Sequence, residues 1–527
     1  MTDPTGRAVP VRFWTPARLA VTAAILVGIL GIGAIVYVVT GPAAEDDPAA
    51  LSRRFSTAID WQACGDGLRC ADVDAPLDWH DTTTGSISLK LIKHTATGTR
   101  EGTLLVNPGG PGGSGVDFVG GDVHQAVDPA LAEHFDVIGF DPRGVGESSP
   151  VRCYGAKEMD RYLYGILPGA IGSAKWLAAS RRADADFAAA CADRTGPLIS
   201  HVDTESVARD LDLIRSDLGE KKLDYLGYSY GTYLGTIYAG LFPERVGRFV
   251  FDGADNPWSD GGGSTDDEGA TDQAVGFDGD LRNYVAACIA GSREAVPQGS
   301  CPLAGSTDAG MTQVKSILDR VAASPLRAKD GRLLGDATLA TAIAEALYDT
   351  TSWPRLTTAF RHVQAGDPAA AFALADDYNG RSPKGRYYDN SAEAFDAVTC
   401  LESPGEDSAT ALRKDAAKIQ AEAPVLGKYQ AYSDLLCAQW PTEVADFPEP
   451  VRAPGAGSIL VIGSTGDPAT PYADAVALAK QLKTGHLLTR VGDGHTAYDL
   501  GDSCIDSAVD SFLRTGATPA GAAARCD

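Results

Sequence analysis

Leu223-Asp-Tyr-Leu-Gly-Tyr-Ser-Tyr-Gly-Thr-Tyr-Leu234 is a short apolar run that meets a tight, glycine-flanked serine and then continues with helical spacing. Within it, Gly227-Tyr228-Ser229-Tyr230-Gly231 is the single G-x-S-x-G of the chain. Leu223–Gly227 predicts a buried strand, and Thr232–Leu241 predicts a helix that stops before Pro243. A strand, a turn and a helix in this order set a serine on a sharp bend at a helix N-terminus. Small residues on either side are required because the bend leaves no room for side chains.

A serine hydroxyl is a weak nucleophile and needs a base. Elbows of this kind belong to α/β-hydrolase folds, where the triad follows in the order Ser, Asp or Glu, His. Asp467 lies beyond the predicted strand Ile459–Gly463, in Ser464-Thr-Gly-Asp-Pro-Ala-Thr-Pro471. His495 lies beyond the predicted strand His486–Val491, in Gly492-Asp-Gly-His-Thr-Ala-Tyr498. Ser229, Asp467 and His495 are therefore the expected catalytic residues, all just past strand C-termini. Asp493 is a nearby decoy, and His486 opens its strand and reads as structural.

The tetrahedral intermediate of acyl transfer needs oxyanion donors. Asn107-Pro-Gly-Gly-Pro-Gly-Gly-Ser-Gly115 follows the predicted strand Thr103–Asn107. Its glycines allow backbone N–H groups to approach a substrate closely. The N–H groups of Gly110 and Tyr230 are the expected donors, with Gly109 the alternate. The terminal Gly-Lys-Ser/Thr of a phosphate-binding P-loop is missing. Val116 removes Ser114 from contention as an elbow serine.

Further strands are expected at Asp136–Asp141 and Arg248–Asp252. Between two strands, Val207, Leu211, Ile214 and Leu218 form one helical stripe over Glu205–Leu218, with Asp203 or Thr204 as its cap. This alternation predicts an α/β-hydrolase fold, a mostly parallel sheet with helices on both faces. The alternation stops near Asp255, where a helix-rich stretch begins with the flexible joint Asp260–Ser264. The expected organisation is a core over 56–254, a helical cap inserted over 255–454, and a C-terminal core part over 455–527. Such a cap sits above the strand C-termini where active sites form.

The 527 residues carry 45 Lys plus Arg against 70 Asp plus Glu, a formal charge of −25. So acidic a chain is a poor general nucleic-acid binder. Leu19–Val39 is apolar and long enough to span a membrane. Arg7, Arg12 and Arg18 precede it, and Glu45, Asp46 and Asp47 follow it. That asymmetry predicts a signal anchor over 19–39, residues 1–18 in the cytoplasm, a linker over 40–55, and the remainder outside. A cleaved signal peptide is the alternative. All ten cysteines follow this segment, which predicts disulfides on an exported domain. Near-neighbour pairing gives 64–70, 153–191, 288–301, 400–437 and 504–526. No Cys-x-x-Cys occurs, and neither a metal nor a cofactor is expected.

The loop Asn107–Gly115, the segment Phe140–Ser148, the elbow Gly227–Gly231 and Asp467–Pro471 together resemble the tripeptidyl aminopeptidase and proline iminopeptidase group of α/β-hydrolases. The nearer resemblance is to secreted or envelope-associated actinobacterial members with a tripeptidyl-aminopeptidase-like (TAP-like) C-terminal region, over roughly residues 60–527. It implies Ser229 as nucleophile, Asp467 as triad acid and His495 as base. Pro108 departs from the smaller iminopeptidases, which carry His before Gly-Gly-Pro-Gly. The implied activity is a serine aminopeptidase acting on peptides with free N-termini. Some relatives of this type are carboxylesterases, so acyl esters are the alternative substrates. A non-catalytic envelope protein on the same scaffold is a third reading, which the intact motifs disfavour.

An aminopeptidase must read a charged N-terminus, and a carboxylate in the cap can do so. Asp396–Glu402 offers Glu402 and Asp396, and the family's acidic position two after the cysteine matches Glu402. Arg143 and Glu147 are expected to form a structural ion pair in their turn.

Overall fold

Six apolar runs of the sequence become neighbouring parallel strands of one sheet. They are β4 (Gly102–Asn107), β5 (Phe135–Phe140), β6 (Leu223–Tyr228), β7 (Val246–Asp252), β10 (Ile459–Gly466) and β11 (Gly485–Asp493). In this computed structural model the described residues are 55–65, 67–256, 258, 267–444 and 449–527. The predicted anchor, linker and Asp260–Ser264 joint lie outside them. Among the described residues no helix is long and apolar enough to cross a membrane.

With β1 (Gln62–Gly65), β2 (Leu68–Pro76), β3 (Ser86–His94) and β12 (Arg525–Cys526) the sheet has the order β1-β2-β3-β5-β4-β6-β7-β10-β11-β12, while β8 (Leu326–Arg327) and β9 (Leu333–Leu334) pair apart from it. From β5 to β12 every neighbouring pair is parallel. All six residues of β5 are buried, as a strand covered on both faces requires. The fold class is thus α/β-hydrolase.

Thr103–Asn107 is not the first core strand. An antiparallel edge precedes it, formed by β1 (Gln62–Gly65), β2 (Leu68–Pro76) and β3 (Ser86–His94). The charged residues Asp72, Asp74, Lys90 and Lys93 interrupt these runs, so they lack the continuous apolar signature of the parallel strands. Their alternation is that of a sheet with one wet face. The edge strand β12 (Arg525–Cys526) is only two residues long and has no signature at all.

The predicted helix after Asp203 spans Thr204–Asp217, and Asp203 caps it by accepting from Ser206 N–H. Between β7 and β10 the chain is mainly helical, with a core built on Tyr284, Leu318, Ile343, Trp353 and Phe360. Two further helices, Ala156–Tyr164 and Ala174–Thr195, leave the core before β6 and join this layer. Arg381 clamps Asp160 at 2.6 Å, and Glu393 accepts from the N–H groups of Cys153 and Tyr154. Their amphipathic pattern is the same as that of an ordinary crossover helix, so sequence alone does not separate the two.

All ten described cysteines are paired as 64–70, 153–191, 288–301, 400–437 and 504–526. Each bridge closes a local loop, which is why nearest neighbours in sequence meet.

The expected Arg143–Glu147 pair does not form. Arg143 is fully buried and binds Asp210 through two 2.7 Å bonds, with the carbonyls of Pro76, Leu77 and His201 taking its other donors. Glu147 instead lies 3.9 Å from Lys90 at the surface. The partner of Arg143 comes from the helix 67 residues further on, which no local pattern reveals. Arg143→Ala is expected to cost about 3–5 kcal/mol, because Asp210 is left buried and unpaired. Denaturant unfolding measures it, and a loss below about 1 kcal/mol would refute this account.

Candidate active site

Tyr228 ends β6 and Tyr230 starts the next helix, so Ser229 must make the whole reversal between them. Its backbone takes φ 54° and ψ −129°, a conformation that non-glycine residues rarely hold. Close packing enforces it. A Cβ on Gly227 would lie 2.4 Å from the Gly231 carbonyl, and one on Gly231 would lie 2.8 Å from Asn107 Oδ1. The Ser229 N–H donates to the Asp252 carbonyl at 2.8 Å, which ties the bend to the end of β7.

Asp467 sits just past β10 and is 4% exposed. Its carboxylate accepts from the N–H groups of Ala469 and Thr470, both at 2.9 Å, and from Thr470 Oγ1. These bonds fix its direction. His495 Nδ1 lies 2.9 and 3.0 Å from the two Asp467 oxygens. The His495 N–H donates to the Tyr348 carbonyl at 2.8 Å, and the Tyr348 ring stands edge-on against the imidazole. The opposite ring nitrogen, Nε2, is buried and has no hydrogen-bond partner among the described residues. A Cβ on Gly253 would fall 2.9 Å from His495 Cε1, so glycine there makes room for the imidazole next to Asp252, whose carbonyl accepts from the Ser229 N–H. Burial lowers the His495 pKa, but the negative charges of Asp467, Asp252 and Asp255 outweigh it and leave it above 6.5. Asp493 binds Asn283 rather than the imidazole.

The glycine loop closes over the elbow. Gly109 has φ 90°, and a Cβ there would lie 2.4 Å from the Tyr228 carbonyl and 3.2 Å from the Tyr230 nitrogen. Its N–H is already given to Asn107 Oδ1 at 3.0 Å, which removes it as the alternate oxyanion donor. Gly110, at φ 114°, comes next in the loop. Ser114 caps the helix Gly115–Gly121 and binds Asp141.

The two acids expected to read an amine are held apart. Both lie on the helix Ser391–Glu402, but six positions place them on different faces. Glu402 accepts from Thr204 N–H, while Thr204 Oγ1 and Tyr230 OH share a 2.7 Å bond. Burial pushes Glu402 up to about 7. Asp396 instead lies near Asp184 and Glu393, and burial with these like charges pushes it to about 8. Glu402 thus stands near the elbow residue Tyr230, whereas Asp396 faces Asp184 and Glu393. A cavity of about 660 Å³ is lined by Glu402, Asp203, Tyr233 and Leu401. Ser229 and His495 do not line it.

Asp255 and Asp280 escaped the sequence reading. Asp255 comes three residues after β7, and its place beyond a strand C-terminus was the available signal. Asp280 carried no signal, since it lies in a long helix of mixed composition. It is 2% exposed, with neither carboxylate oxygen hydrogen-bonded among the described residues. Burial, together with Asp493 and Asp467, pushes it up to about 8 from 3.8. Between these values the folded chain keeps a proton that the unfolded chain releases. Stability therefore falls as pH rises from about 4 to about 8 and levels off above that. Asp280→Asn should remove this slope. Its advantage over the parent should be largest above pH 8, at most about 6 kcal/mol, and vanish near pH 4. A gap independent of pH in denaturant titrations would contradict it.

Two family models match the chain, an alpha/beta hydrolase fold over residues 102–292 and a TAP-like protein over residues 423–526. The serine protease Hip1 of Mycobacterium tuberculosis is 34% identical over 524 residues, 95% of each chain. The tripeptidyl aminopeptidase of Streptomyces lividans is 32% identical over 491 residues, covering 89% of this chain and 87% of its own. Carboxylesterase B of M. tuberculosis is 36% identical over 457 residues, covering 86% and 85%.

Proposed function

The chain belongs to the serine α/β-hydrolases with a TAP-like C-terminal region, and on that premise we propose that it is an exported aminopeptidase releasing short peptides from free N-termini. Ser229 attacks the scissile carbonyl and His495 takes its proton. Asp467 holds the imidazole tautomer with Nε2 free to accept, and stabilises the imidazolium that forms. The N–H groups of Gly110 and Tyr230 receive the oxyanion. His495 then returns the proton to the leaving amine, and water resolves the acyl-enzyme. The observations that support this chemistry are the Asp467–His495 pair, whose buried Nε2 makes no hydrogen bond, and the strained backbone of Ser229, whose N–H is held by Asp252 next to the Gly253 that packs against His495.

The helices over 255–454, together with those over 156–200, form the cap, and Glu402 reads the substrate amine. Five disulfides support an exported domain. The anchor over residues 19–39 would hold that domain at the membrane. Catalysis uses neutral His495, so activity should fall with pH as it drops through a value above 6.5.

The relative named a carboxylesterase favours acyl esters as the second reading. Turnover of peptide arylamides with free and acetylated N-termini, beside short acyl esters, separates the two. The aminopeptidase should prefer free amines strongly. Equal turnover of free and acetylated peptides would promote the esterase.

A further inference from the structure

We propose that Asp252 is a positioning residue for the triad: its main-chain carbonyl holds the nucleophile and its carboxylate holds the turn behind the base, so that one residue sets His495 against Ser229. The role rests on the Ser229–His495–Asp467 triad of the proposed function and is the same for a peptide or an ester substrate.

Asp252 closes β7, and its neighbours in register are Tyr228 on β6 and Ile462 on β10. It therefore stands between the strand that leads into Ser229 and the strand that leads into Asp467. The next residue is Gly253, at φ 63°, where a Cβ would fall 2.9 Å from His495 Cε1 and 3.1 Å from Thr496 Cγ2. The chain leaving β7 thus runs directly against the base.

Both segments that Asp252 touches are strained. Ser229 holds φ 54°, and Thr496, the residue after His495, holds φ 67°. Threonine is branched at Cβ, so this left-handed backbone is costly and persists only where the surroundings over-determine it. On the first segment the constraint is the Ser229 N–H, which donates to the Asp252 carbonyl at 2.8 Å. On the second it lies in the two residues after Thr496. The N–H groups of Ala497 and Tyr498 both donate to Asp252 Oδ2, at 3.0 and 2.9 Å. Successive N–H groups converging on one oxygen form a concavity that suits an anion. Asp252 is fully buried, so these bonds are sheltered from water. The turn has further ties, from Ser464 Oγ to the Thr496 carbonyl and from the Thr496 N–H to Asp467. Asp252 is the tie that also holds the nucleophile.

The carboxylate is otherwise an expense to the fold. Its other oxygen, Oδ1, is buried and has no hydrogen-bond partner among the described residues. Burial pushes Asp252 up to about 6, while the two N–H groups and the charge of His495 favour its ionised form. A buried acid with one idle oxygen is accounted for by what the other oxygen holds in place.

The test compares the parent full-length chain with Asp252→Ala, which removes the side-chain acceptor, and Asp252→Asn, which keeps one oxygen at the same reach. Substrates are a peptide arylamide and a short acyl ester, and the rate of fluorophosphonate labelling at Ser229 is a third reading. In Asp252→Ala kcat should fall about a hundredfold on whichever substrate the parent turns over, with KM within about threefold, because a small misplacement of base against nucleophile is enough. Labelling should slow in parallel. Asp252→Asn should recover at least about tenfold of that loss. Asp252→Ser, whose hydroxyl falls one bond short of the two N–H groups, replaces Asp252→Ala if that variant does not fold. A folded Asp252→Ala or Asp252→Ser that keeps more than a third of parental kcat overturns the proposal, as does a loss carried by KM. Asp252→Asn no better than Asp252→Ala also overturns it, because holding the two N–H groups would then not be what the carboxylate does. A parent that takes no fluorophosphonate on Ser229 removes the triad itself, and this role with it.

Discussion

Ser229→Ala is expected to end hydrolysis of every substrate and all labelling by fluorophosphonates. The position is defined by three independent constraints. The backbone at φ 54° presents the hydroxyl at the head of a helix, Gly227 and Gly231 clear the bend, and the Asp252 carbonyl anchors its N–H. Losing a triad nucleophile costs ~10⁴–10⁶ in turnover, with a remainder from the oxyanion donors and binding. Folding should be unaffected, since Ser229 is half-buried and the substitution retains its Cβ. Mass spectrometry of the labelled protein identifies the modified peptide, and a probe on any serine other than Ser229 would remove it from the mechanism.

The second large effect belongs to Asp467→Asn. The side chain keeps its size, but one oxygen that faces His495 Nδ1 becomes an NH₂ group. The favoured tautomer then places the imidazole proton on Nε2, where it can no longer accept from Ser229. In triads of this kind the cost is about 10⁴ in kcat. Substrate binding should change little, so the loss should appear in kcat more than in KM. The same carboxylate accepts from Ala469, Thr470 and Thr496, so a modest stability loss is also expected, read as a shift in Tm. A variant that keeps more than a tenth of parental kcat would show that another acid, with Asp252 the next charge acting on the imidazole, supports His495.

The proposed site was legible in the chain because its signals are local. The elbow needs Gly227, Ser229 and Gly231 in five consecutive residues, and each parallel strand buried on both faces is a continuous apolar run. Asp467 and His495 each follow such a run, so the alternation of strands and helices was enough to carry them to one edge. Disulfides closing short loops obeyed the same logic. Roles that depend on partners far along the chain were not legible. Arg143 was paired with the wrong residue because its true partner, Asp210, arrives on a helix folded across from it. The antiparallel edge was missed because its strands alternate with charges.

Sequence alone therefore carried the fold class, and it carried the order of the proposed triad and the loop proposed to face it, since those depend on backbone conformation and nearest-neighbour sterics. Tertiary structure decided which acids stand near the reacting centre. Glu402 and Asp396 share one helix, but the helical repeat turns one toward Tyr230 and the other toward Asp184. Asp255 and Asp280 acquired their character only on burial, because a carboxylate's proton affinity is set by the charges and solvent around it, and those come from segments that meet only when the chain folds.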